Sequence, residues 1–109
     1  MSNFANADAT LTGSAATLIT CPANSQIVIL KGSVYNSDTI AHSATIYRVA
    51  NGGTAALAGQ ITGTGTTIAS KGTVILPLSG VTLANQQILQ GLADTTSVVS
   101  VSLSYIQVP

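Results

Sequence analysis

Along the last stretch of the chain Val99, Val101, Leu103 and Tyr105 alternate with Ser100, Ser102 and Ser104. This period of two predicts a strand with one face in a core and the other lightly covered or wet. Similar runs rich in β-branched residues recur from residue 14 onward, separated by clusters of Gly, Asn, Asp, Ser and Pro. They predict about eight strands, over 15–20, 25–36, 41–50, 60–62, 66–69, 73–78, 88–93 and 98–108. The run over 25–36 is apolar on both sides in its first half, Ile27 and Ile29 against Val28 and Leu30, so it reads as a strand buried centrally or covered by a neighbour. Over 41–50, Ile46 is placed inward with Ala44.

The turns between these runs have mechanisms. Asn51-Gly52-Gly53 tolerates the positive φ of a tight hairpin, and Asn36-Ser37-Asp38 can close through side-chain to backbone hydrogen bonds. Pro77 interrupts an apolar run and cannot donate to a ladder, which puts that strand at an edge or a bulge. The glycine-rich segment 59–65 lacks the lysine of a phosphate loop and reads as a loop or a broken edge strand. Many short strands without crossover helices predict an all-β chain, a single antiparallel β-sandwich, with eight strands favouring a jelly roll over an immunoglobulin-like arrangement. Residues 1–13 carry little pattern beyond Phe4 and Leu11 and read as an N-terminal arm, with residues 14–109 as the sandwich domain.

Composition sharpens the functional side. The 109 residues are 46% hydrophobic and only 6% charged, with three basic and three acidic side chains and no glutamate. A basic footprint for nucleic acid or an anionic membrane is missing. The apolar runs fall far short of the roughly 18–20 residues of a membrane helix, and the polar start after Met1 does not resemble a secretory signal.

Catalysis needs titratable groups brought together, and the chain has one histidine, one cysteine and three dispersed aspartates. Asp38 and His42 lie four residues apart, but both flank a turn where polar side chains belong. Cys21 precedes Pro22 with no basic neighbour and reads as an inert thiol, and the aspartates are too scattered for a calcium loop. The reading therefore includes no catalytic residue, no cofactor and no metal. Tyr35, Tyr47 and Tyr105 are candidates for a glycan-stacking face, or for packing at sheet rims and subunit contacts. With hydroxyls and amides standing where charge would secure a soluble monomer, the surface is suited to being covered by other protein.

The segment IVILKGSVYNSDTIAHSATIYRVANGG (residues 27–53), with LPLSGVTLANQQILQGLA (76–93) and VSVSLSYIQV (99–108), resembles small virion structural proteins of tailed bacteriophages. The shared features are a strand ending in YNSD, a strand leading into NGG, the segment 83–93 and an alternating last strand. The resemblance implies a non-enzymatic capsid decoration (cement), head-fibre or tail-associated protein. It implies a virion location after synthesis in the host cytoplasm, and a homo-oligomer, preferably a trimer, bound to the major capsid protein or other virion proteins. Phe4, Ile27, Ile29 and Tyr47 are the expected contact residues. The alternative is a receptor- or glycan-binding module of a tail or fibre.

Overall fold

A computed structural model describes residues 3–50, 53, 61 and 66–108. Among the described residues the regular elements are all strands: β1 (Asn3–Thr10), β2 (Ala16–Thr20), β3 (Gln26–Asn36), β4 (His42–Val49), β5 (Thr66–Ile68), β6 (Thr73–Leu76), β7 (Thr82–Leu83), β8 (Ile88–Ala93) and β9 (Val99–Val108). Every pairing is antiparallel. One sheet has the order β1-β9-β3-β6, with β7 also beside β3; the other has the order β2-β8-β4-β5.

Apart from β9 beside β3 and β8 beside β4, which rolling the ribbon brings together, the pairings follow one rule. The first half of the chain pairs with the second half in reverse order: β4 with β5, β3 with β6 and β7, β2 with β8, β1 with β9. A long antiparallel ribbon rolled so that successive pairs fall in opposite sheets is a jelly roll, and the expected sandwich is this one.

Between the sheets lie branched aliphatics, among them Leu11, Ile27, Ile29, Val34, Ile46, Ile68, Leu78, Leu83, Leu89, Val99 and Leu103. Each such side chain contributes about 1.5–3 kcal/mol on burial. In β9 the inward set is Val99, Val101 and Leu103, as the alternation predicts, and Ile46 faces inward as expected.

The double-sided start of β3 is borne out: the strand lies inside its sheet, between β9 on one side and β6 and β7 on the other, with Ile27 and Ile29 facing the core and Val28 half-buried on the outer face. The register against β9 jumps between Ile29 and Lys31, a bulge that inserts Leu30 as an extra residue. Before it Ile27 and Ile29 face the core; after it Gly32, Val34 and Asn36 do, while Leu30 and Lys31 are exposed. The phase of the alternation flips there, so Val34 faces the core at the same parity as the outward Val28. The partner strand is interrupted at the same level: β6 ends at Leu76, Pro77 follows, and Val81 continues the pairing by accepting the Ile29 N–H at 2.8 Å. Pro77 thus falls at a break in an edge strand, consistent with its missing donor.

Three expectations differ from the structure. Residues 3–10 do not hang free as an arm: they pair residue for residue with β9 and form the edge strand of the larger sheet. Six of the eight residues of β1 are Ala, Asn or Asp, types depleted in strands, and pairing with β9 holds the segment as a strand. The short β7 was not anticipated, and the run over 73–78 stops at Leu76. Of the strand expected over 60–62 only Ile61 is described, its N–H donating to Ile46 O at 2.9 Å. Asn51 and Gly52 of the expected hairpin turn lie outside the described residues; the Gly53 N–H donates to Ala50 O at 2.8 Å.

Candidate functional site

The outer face of the larger sheet is ordered by the strand registers. At one end Phe4, Ile106, Val28 and Thr82 stand side by side; next come Asn6, Ser104 and Lys31, then Asp8, Ser102, Ser33 and Ile75, and last Thr10, Ser100, Tyr35 and Thr73. Lys31 and Asp8 supply its charges. The Ser102 hydroxyl donates to Asp8 Oδ1 at 2.7 Å and the Ser104 hydroxyl to Asn6 Oδ1 at 3.0 Å, tying β1 to β9 across a shallow open depression. Phe4, Ile75 and Tyr35 are exposed on this face, Phe4 at 77% and Ile75 at 61%. A face of hydroxyls with isolated apolar side chains loses little on desolvation and gains where the apolar groups are covered.

The four residues expected at contacts are not brought together. Phe4 lies on this outer face. Tyr47, half-buried on β4 beside Gln90, lies on the outer face of the other sheet. Ile27 and Ile29 are 1% and 0% exposed, so they hold the two sheets together and present nothing to a partner. The tyrosines are likewise dispersed: Tyr35 and Tyr47 stand on opposite sheets, and Tyr105 packs against the core.

A polar cluster closes one end of the sandwich. Asn36, at the end of β3, is fully buried. Its amide donates to Ile40 O at 2.8 Å and Ile68 O at 3.1 Å, while its Oδ1 accepts the Asp38 N–H at 2.9 Å, the side-chain closure expected of this turn. The loop continues to His42, 8% exposed, which lies between two carboxylates: Nε2 is 2.8 Å from Asp38 Oδ2 and Nδ1 is 3.0 Å from Asp94 Oδ1.

The Asp38 hydrogen bond, opposed by burial and aided by the Asp94 charge, raises the His42 pKa above its ordinary value. The same bond, with the Thr39 N–H, lowers that of Asp38. Asp94, 52 residues away from His42, gave no sequence signal of this role. In a nucleophilic triad one imidazole nitrogen faces the nucleophile. Here carboxylates take both, so the ring ties the loop after β3 to the turn after β8.

Cys21 is buried, its thiol 3.3 Å from Ser25 O. Among the described residues no group of three or more His, Cys, Asp or Glu side chains is arranged to hold a metal ion, and no helix is long and apolar enough to cross a membrane.

No protein-family model and no curated protein matches the chain. Solved structures do share its architecture. A chain of the acid-stable capsid of Helicobacter pylori bacteriophage KHP30 aligns with a TM-score of 0.56 at 13% identity, over 99% of this chain and 87% of that one. A chain of the Bacillus endospore appendages, which are disulfide-linked pili, aligns with a TM-score of 0.55 at 14% identity, over 99% and 86%. The protein is therefore a jelly-roll sandwich of a form also found in a phage capsid and in a pilus. At these identities the likeness is one of fold.

Proposed function

We propose that the protein is a non-enzymatic structural component of a tailed-phage virion, a decoration protein that oligomerises, binds the major capsid protein and cements the head shell. The observation that carries this reading is the outer face of the larger sheet, where hydroxyls and exposed Phe4, Tyr35 and Ile75 stand with only Lys31 and Asp8 as charges. Such a face favours a protein partner over nucleic acid or lipid headgroups, which need clustered cations. The fold shared with a phage capsid chain is compatible with it. The engagement of both His42 nitrogens by carboxylates favours the non-enzymatic reading. A decoration protein that binds only the assembled shell stabilises it by linkage, and a trimer at three-fold positions is the form the sequence resemblance favours.

The alternative, a glycan- or receptor-binding module, is less well supported because the three tyrosines do not share a surface. The test is co-sedimentation of purified protein with phage heads lacking it, followed by heating. The reading requires saturable binding and a higher temperature of DNA release. Absence of binding to heads, together with binding to host cells or a glycan array, overturns it in favour of the alternative.

A further inference from the structure

We propose that two copies of the chain join edge to edge through β1, in an antiparallel pairing about a two-fold axis at Ala7. This deepens the oligomerisation in the reading above and takes from that reading only that copies of the chain associate.

The argument begins with the ladder. Leu11 N–H donates to Val99 O at 2.8 Å, and the β1 to β9 register runs on from this pair without a break, Ala9 with Val101 through Asn3 with Gln107. In an antiparallel pair, residues that exchange hydrogen bonds with the partner alternate with residues whose N–H and C=O point away. Ala5, Ala7 and Ala9 therefore bond to β9, and Phe4, Asn6, Asp8 and Thr10 aim their backbone groups at the outer edge. Among the described residues no strand pairs with that edge.

Natural edges are blunted by bulges, prolines, lysines or shortness. The other edges of the sandwich show such features: β2 is bulged between Thr17 and Ile19, β6 stops before Pro77, and β5 has three residues. The edge at β1 has eight residues, an unshifted register, and neither proline nor a cation. It is a template for another strand.

The sequence of β1 selects its own copy and the register. With the axis at Ala7, Asn6 faces Asp8 of the second copy and Phe4 faces Thr10, so all four outward residues of each strand are paired. Moving the axis to Asn6 or Asp8 leaves one of them without a partner residue among these four. An axis at Asp8 also sets the two Asp8 carboxylates against each other, which is unfavourable for directly opposed residues. The preferred register instead gives each carboxylate an amide neighbour and joins the two larger sheets into one. Such a contact is isologous and closes on itself, so it pairs copies within or between higher assemblies without forming fibres.

The test is light scattering on the full chain and on Asn6→Pro. The Asn6 N–H is not used by β9, so this proline removes an outer-edge donor and spares the ladder within the subunit. The expected result is a mass half that of the wild type with an unchanged β circular dichroism spectrum. An Asn6→Pro protein that folds and keeps the wild-type mass overturns the edge pairing and leaves the assembly reading standing. A wild type that is monomeric at high concentration overturns both.

Should Asn6→Pro fail to fold, cysteine pairing decides. Directly opposed residues of a bonded pair have Cα atoms about 5.5 Å apart, within disulfide reach. Mixed Asn6→Cys and Asp8→Cys proteins should crosslink on oxidation several-fold faster than either alone. Equal rates overturn the proposal.

Discussion

Asp94, in the turn after β8, holds Nδ1 of His42 at 3.0 Å, and His42 opens β4 in the same sheet. With Asp38 on the opposite ring nitrogen at 2.8 Å, one imidazole fastens the loop after β3 to the turn after β8. The protonated ring donates to both carboxylates, so the clamp is strongest when His42 is charged and the aspartates are ionised.

The pH dependence follows from the directions of the two shifts. The His42 pKa is raised from 6.5, so its contribution is complete below the unfolded value and is lost as pH rises through the higher folded value. The Asp38 pKa is lowered from 3.8, so its contribution is present above that value and is lost as pH falls through the lower folded one. Thermal melts should show greatest stability in the mildly acidic range between these limits and a decline through and above neutrality. His42→Gln should remove the decline on the alkaline side. Parallel profiles for the two proteins would show that the clamp does not stabilise the fold.

Asn36 should be intolerant of substitution. Its amide serves two carbonyls, those of Ile40 and Ile68, within 3.1 Å in a fully buried position. Asn36→Ala leaves these groups without a donor and should cost about 1–3 kcal/mol in urea denaturation. Asn36→Asp replaces the donor by a carboxylate facing the same carbonyls and should be worse than alanine at neutral pH. An aspartate variant as stable as the wild type would refute this account.

Gly32 is inward-facing just after the β3 bulge, where an added Cβ would lie 2.6 Å from Leu78 Cδ1 and 2.9 Å from Leu103 Cδ2. Gly32→Ala should therefore overpack the core by about 1–3 kcal/mol. Pairing it with Leu78→Val should recover part of the loss, because the nearer of the two clashing groups is then shortened. Simple additivity in the double-mutant cycle would place the strain elsewhere.

Ile75 separates folding from docking. At 61% exposure on β6 it contributes little to the core, so Ile75→Lys should shift stability by no more than about 0.5 kcal/mol. The same substitution should weaken binding to phage heads, since it places an unpaired cation in the proposed contact face. Undiminished head binding would remove this face from the cementing contact.

Much of the fold is determined by the sequence alone. The alternation over 99–105, the side-chain closure at Asn36 and Asp38, the break at Pro77 and the shortage of charge are properties of the sequence read locally. Other features needed the tertiary structure. Residues 3–10 are mostly Ala, Asn and Asp, types depleted in strands, and become β1 because β9 offers a ladder. The bulge at Leu30 makes β3 change phase midway, so Val34 faces the core although Val28, of the same parity, faces out. Asp94 meets His42 across 52 residues, a distance over which sequence spacing carries no information. Composition thus set what kind of surface this protein has, while pairing between the two halves of the chain decided which residues lie on it.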